Sequence, residues 1–262
     1  MSVFEALVLG FVQGITEFLP VSSSGHLVLL QKIFGISEPA LAFDTALHGG
    51  TLAAVIIVLR KEIWNILRRI FQPLTLYIII ATIPAVAAAL LFKDTIEAAF
   101  ASASLLGFCF LVTSALLFAA EKISRVDAPA PGRMNAKNAL VIGLFQAVAL
   151  IPGISRSGAT ISGALFRRLD RNFAATFSFL LSIPAILGAL LLQIKALAGG
   201  EAGSTGLVPL AAGTLCAFLV AIFSIKLALK IVREHSLAGF SVYTGVLGFL
   251  IILDKFFTHF FF

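Results

Sequence analysis

Residues 17–26 read EFLPVSSSGH and place a carboxylate, three consecutive hydroxyls and an imidazole within ten positions. Gln13 precedes Glu17 by four residues, so on a helix the two side chains share one face. A carboxylate in that setting suits a divalent cation or an acid/base role. His26 follows Ser22, Ser23 and Ser24, where it could activate a hydroxyl nucleophile, protonate a leaving group, or serve as a hydrogen-bonded core histidine. A second segment, PGISRSGAT at 152–160, carries Arg156 among Ser155, Ser157 and Thr160. A guanidinium is a planar fork of donors matched to phosphate, and hydroxyls with backbone N–H groups at a helix start add uncharged donors. The alternative for Arg156 is a structural pair with Glu17. Asp44 and His48, in FDTALHGGT, are a further polar pair four apart, open to a role as site lining or as structure.

Taken together, a metal-capable acid, hydroxyls, an imidazole and a guanidinium fit phosphoryl transfer from a pyrophosphate, a reaction governed by positioning and charge neutralisation. No glycine-rich loop ending in Lys-Ser/Thr is present, which disfavours nucleotide hydrolysis.

These groups stand in a chain built largely without polarity. Of 262 residues, 60% are hydrophobic and 12% charged, where soluble domains carry about 25% charge. The composition predicts an all-α polytopic membrane protein. Apolar stretches of spanning length fall at roughly 41–59, 74–92, 104–120, 173–194, 207–229 and 239–257. None is followed by a cleavage-like site, so none reads as a removable signal. Two further apolar regions, about 3–34 and 138–166, are interrupted by proline, glycine and hydroxyls. Each reads as a re-entrant helix–loop–helix hairpin, with a kinked span as the alternative, because freed backbone groups at membrane depth need protein or a wet cavity to satisfy them. Cys109 and Cys216 lie in apolar runs without metal-ligand spacing and read as packing residues.

The broken regions resemble each other. GFVQGITEFLPVSSSGHL begins at Gly10 and GLFQAVALIPGISRSGAT at Gly143, so Gly10 and Gly143, Gln13 and Gln146, and Gly25 and Gly158 all lie 133 residues apart. An internal duplication follows, with repeat 1 at about 1–130 and repeat 2 at about 134–262 of a single membrane domain 1–262. One hairpin and three spans per half invert the second half, an arrangement in which sites form at the midplane between discontinuous helices. Fourteen Lys and Arg fall between spans 1 and 2, 3 and 4, and 5 and 6, against Lys32, Lys93, Lys195 and Lys255 on the other face. That asymmetry puts the first face in the cytoplasm and both termini outside. It also accounts for the net charge of +6 without nucleic acid. Arg156 alone belongs to neither surface.

QGITEFLPVSSSGHL and PGISRSGATISGAL resemble the two signature segments of the bacterial undecaprenyl-diphosphate phosphatases of BacA type, and the resemblance extends over essentially the whole chain. It implies hydrolysis of the C55 polyprenyl diphosphate to the monophosphate carrier and phosphate, at the outer side of the bacterial cytoplasmic membrane. It also implies a divalent cation, magnesium or calcium, and bacitracin resistance on overexpression. The family's acidic motif, Glu or Gln, three residues, then Glu, is carried here by Gln13 and Glu17, so Glu17 bears the acidic role alone. Ser22, Ser23 and His26 match the first motif, and Ser155, Arg156, Ser157 and Thr160 the second.

The expected mechanism has Arg156 with Ser155, Ser157 and Thr160 holding the phosphates and Glu17, helped by Gln13, holding the cation. Ser23 attacks the terminal phosphorus with His26 as proton partner, attack by His26 or by water being left open. A transporter or flippase of a lipid phosphate or other anion is the alternative built on the same site, since inverted repeats with broken helices also serve transport. A purely structural subunit would leave Glu17 and Arg156 unexplained. The expected partners are the lipid substrate and membrane lipids, with homo-oligomer formation left open.

Overall fold

The computed structural model describes residues 1–36, 41–125, 133–198 and 206–259, and among these the regular structure is helical throughout. In chain order the helices are α1 Val3–Thr16, α2 Ser23–Ile33, α3 Leu41–Val58, α4 Arg60–Arg68, α5 Pro73–Leu91, α6 Lys93–Ser102, α7 Leu106–Arg125, α8 Ala136–Val148, α9 Arg156–Phe166, α10 Arg171–Ala198, α11 Leu207–Glu234 and α12 Ala238–Leu253. Helices α5, α7, α10, α11 and α12 are each long and apolar enough to cross a membrane, and α3 qualifies when joined to α4 across a 75° bend. The six expected spans are thus all helical, and the protein is an all-α polytopic membrane protein.

Both interrupted regions are broken where the polar residues fall. α1 ends at Thr16 and α2 starts at Ser23; α8 ends at Val148 and α9 starts at Arg156. The two restarts are built alike. Ser22 and Ser155 are the N-caps, and their hydroxyls accept from the N–H of Gly25 and Gly158, satisfying donors that the first helical turn leaves free. These caps lie 133 residues apart. The expected junction between repeats, at about 130–134, lies mostly outside the described residues.

Two further helices, α4 and α6, lie between the expected spans. α4, RKEIWNILR, is amphipathic, with Trp64 and Leu67 exposed on a basic segment. Its spacing of Trp64, Leu67 and Arg68 is the signal that was available. α6 likewise occupies what reads as a connection.

Apolar contact with lipid tails gives helices no hydrophobic reason to associate, so close backbone approach has to do it. A Cβ on Gly10 would lie 2.3 Å from the carbonyl oxygen of Gly213, and one on Gly143 would lie 2.5 Å from that of Ala81. Hence α1 packs on α11 and α8 on α5, each broken region lying against a long helix from the other half of the chain. Elsewhere, Arg171 bonds Glu121, the Ser124 hydroxyl and the carbonyls of Val232 and His235, clipping α7, α10 and the α11–α12 junction together. Gly10→Leu should therefore force α1 from α11 and reduce the monodisperse fraction on size-exclusion chromatography severalfold. Gly49→Ala, where a Cβ meets nothing within 4 Å, should leave that fraction and the melting temperature unchanged.

Candidate active site

The two breaks meet. Ser157 donates to the carbonyl of Leu19 at 2.9 Å, and the Cβ position of Gly158 is 3.4 Å from Cβ of Pro20. Thr113 of α7 fixes the second break from behind, its hydroxyl donating to the Gly153 carbonyl at 2.9 Å and accepting from the Ser155 N–H at 3.0 Å. Gly153 has φ +94°, and a Cβ there would stand 2.7 Å from that of Cys109, so only glycine fits this turn.

At the junction lies Glu17, with its side chain 6% exposed. It closes α1 as the C-cap, its N–H bonded to the Gln13 carbonyl. That end of a helix carries partial negative charge and by itself disfavours a carboxylate. Four groups offset the cost. Arg156 Nη2 donates to Oε1 at 2.8 Å, Ser23 Oγ donates to Oε2 at 2.6 Å, and Gln13 Nε2 donates to Oε2 at 2.9 Å. His48 Nε2 stands 3.8 Å from Oε2. Ser23 and Arg156 are the first residues of α2 and α9, 133 positions apart, so the positive ends of two helices converge on one carboxylate.

The structure brings together Gln13, Glu17, Ser23 and Arg156 as the sequence suggests, and adds His48, whose Nδ1 donates to the Asp44 carbonyl at 2.8 Å and so aims Nε2 at Glu17. The other expected site residues have partners of their own. Ser23 does not pair with His26. The His26 Nδ1 donates to the Ser22 carbonyl at 2.7 Å, and Nε2 bonds the Tyr243 hydroxyl at 2.7 Å, so both ring nitrogens are engaged elsewhere. Ser22, at φ +69°, turns that carbonyl toward the ring and spends its own hydroxyl as a cap. Ser155 accepts from the Gly158 N–H as the α9 cap and Ser157 donates to the Leu19 carbonyl, while Thr160 is fully buried against Ser178 at 2.6 Å and turned back onto its own helix. Asp44 accepts from Gln31 at 2.8 Å, a contact that braces α2 against α3. These contacts hold the walls of the site.

Two buried atoms at this junction have no partner among the described residues, Arg156 Nη1 and Gln13 Oε1. An unused guanidinium donor is suited to a phosphate oxygen. An unused amide oxygen beside a carboxylate and a hydroxyl is suited to a hard cation. The described residues contain no group of three or more His, Cys, Asp or Glu that could hold a metal alone. Glu17 and Gln13 would supply two oxygens to such a cation, its remaining ligands coming from elsewhere.

A family model described as bacitracin resistance protein BacA matches residues 6–250. The chain belongs to this family. A relative from Carboxydothermus hydrogenoformans named undecaprenyl-diphosphatase is 46% identical over 260 residues, 97% of each chain. One from Bacillus thuringiensis subsp. konkukian, named undecaprenyl-diphosphatase 4, is 44% identical over 256 residues, 98% of each. One from Halothermothrix orenii, named undecaprenyl-diphosphatase, is 40% identical over 260 residues, covering 97% of this chain and 98% of its own.

If the breaks meet as described, Pro20→Cys with Gly158→Cys, in a background of Cys109→Ala and Cys216→Ala, should crosslink under mild oxidation, since their Cβ separation of 3.4 Å is near the ~3.5–4.5 Å of disulfides. A mobility shift reversed by reductant is the check, and its absence would place the two breaks apart.

Proposed function

We propose that this chain is an integral membrane phosphatase that hydrolyses undecaprenyl diphosphate to undecaprenyl phosphate and inorganic phosphate, recycling the lipid carrier of cell-wall synthesis. The observation that carries the mechanism is the buried Glu17–Arg156 pair with Ser23 on the same carboxylate. In the resting protein the phosphate-binding guanidinium and the acid occupy each other. The diphosphate competes for Arg156, whose Nη1 is already unspent, and draws it off Oε1. Ser23 Oγ then attacks the terminal phosphorus, its proton passing to Glu17 Oε2, and the bond to the bridging oxygen breaks to release undecaprenyl phosphate. Water then attacks the phosphoserine phosphorus, with His26 Nε2 taking its proton once the Tyr243 hydroxyl gives up the lone pair, while the Ser23 Oγ–P bond breaks to release inorganic phosphate and Glu17 returns its proton to Ser23 Oγ. The Ser22 carbonyl keeps Nδ1 protonated, orienting the base much as a carboxylate orients histidine in hydrolase triads. Glu17 and Gln13 would hold a magnesium or calcium ion, which when bound neutralises charge developing on the phosphates.

The surrounding architecture supports the same reading. The 133-residue register of the caps, of Gly10 with Gly143 and of Ser23 with Arg156 favours two inverted repeats, each with a re-entrant hairpin, together forming one domain. The Lys and Arg asymmetry favours the bacterial cytoplasmic membrane with both termini extracytoplasmic.

Purified protein in detergent should release phosphate from undecaprenyl diphosphate, which transport alone cannot do. Arg156→Lys keeps the charge but loses the fork, and the rate should fall on the order of tenfold to a thousandfold, about 1.4–4 kcal/mol of transition-state stabilisation. Arg156→Ala should be slower still. Near wild-type release by folded Arg156→Ala, at saturating magnesium, would remove Arg156 from the mechanism.

A further inference from the structure

Tyr243 sits on α12, 217 residues from His26, in a stretch whose sequence carries no recognisable motif. Tyr243 is 48% exposed, while its hydroxyl reaches a histidine that is 7% exposed. The two rings are nearly parallel, 6° apart with centroids at 5.7 Å, and the hydroxyl meets Nε2 at 2.7 Å. Phe110 of α7 stands edge-on to the same imidazole at 5.3 Å and 89°. Phe110 and Tyr243 are themselves 133 residues apart, and Ala159 lies 133 after His26. Thus His26 and the Tyr243 hydroxyl are two departures from the repeat, and they meet each other.

The placement of Tyr243 is enforced locally. Two residues earlier, Ser241 exchanges hydrogen bonds with Ser114: the Ser114 hydroxyl donates to the Ser241 carbonyl at 2.7 Å and the Ser241 hydroxyl to that of Ser114 at 2.8 Å. A Cβ on Gly248 would fall 2.6 Å from the Gly107 carbonyl oxygen, so α7 and α12 are held at backbone contact. This rigid pair presents Phe110 and Tyr243 to His26.

We propose that Tyr243 is a positioning residue for His26 in phosphate release, which rests on the reading that His26 serves the reaction. Because the Ser22 carbonyl can only accept, Nδ1 carries its proton in every state, and the chemistry falls to Nε2. A hydroxyl is the one kind of partner that suits Nε2 both ways: it donates to the lone pair of the neutral ring and accepts from the N–H of the imidazolium. It therefore keeps a nearly buried ring satisfied before and after proton transfer, and holds Nε2 in line until substrate and water take its place. Phenylalanine at 243 would keep the packing and lose this function.

The test is Tyr243→Phe, an isosteric change to the residue found at the equivalent position 110. The expected result is a kcat lowered about tenfold or more with KM within about threefold, an unchanged melting temperature, and faster modification of His26 by diethyl pyrocarbonate, read on the His26 peptide by mass spectrometry, because Nε2 has lost its partner. Wild-type kcat together with an unchanged modification rate would overturn the inference, as would faster modification with wild-type kcat. Failure of the underlying reading is separable: near wild-type phosphate release by His26→Gln removes His26 from the reaction whatever Tyr243→Phe does.

Discussion

A carboxylate buried in an apolar, membrane-spanning fold has to be matched by charge and donors, and the site follows from how this chain matches Glu17. Left alone, such a charge costs several kcal/mol. Glu17 also sits at the unfavourable end of α1. The compensation comes from the opposite direction: the first residues of α2 and α9, Ser23 and Arg156, reach the two carboxylate oxygens from two helix N-termini. For those ends to arrive, both broken segments must be interrupted at the same depth and their loops must touch. Gly153 makes the turn, and Ser157 and Pro20 make the contact. The breaks in α1–α2 and α8–α9, costly to a membrane helix, are thus repaired by one another.

The matching is also what makes the site chemically usable. Arg156 and Glu17 are each stabilised by the other, and in the proposed mechanism a diphosphate, with more negative charge than one carboxylate, displaces Glu17 from Arg156. The hydroxyls divide between two tasks. Ser22, Ser155, Ser157 and Thr160 satisfy backbone groups and walls, while Ser23 alone faces the acid. Stability and chemistry are in this way kept on different side chains of the same short motifs.

Much of this was legible in the sequence because polarity is rare in it. Glu17 and Arg156 stood out as charges with no surface to belong to, and the 133-residue register tied their segments together. What stayed hidden depended on geometry that residue types do not encode. Proximity in sequence suggested Ser23 with His26, but the positive φ of Ser22 turns its carbonyl under the imidazole and leaves Ser23 to Glu17. Tyr243 was invisible because its partner is across the fold. For His48 the sequence leaves site lining and structure both open, since nothing in FDTALHGGT says that a backbone carbonyl aims the ring at Glu17. A hydroxyl written beside an arginine looks the same whether it caps a helix or faces a ligand, so the sequence does not show that Ser155 caps α9.

Glu17 and Arg156 depend on each other in the resting protein, and a double-mutant cycle on thermal stability measures that dependence. Glu17→Gln and Arg156→Gln should each destabilise strongly, on the order of 3–5 kcal/mol for an orphaned buried charge, and the pair of changes together should recover much of the loss while leaving no phosphate release. Strictly additive effects, with a coupling within about 0.5 kcal/mol of zero, would contradict the account.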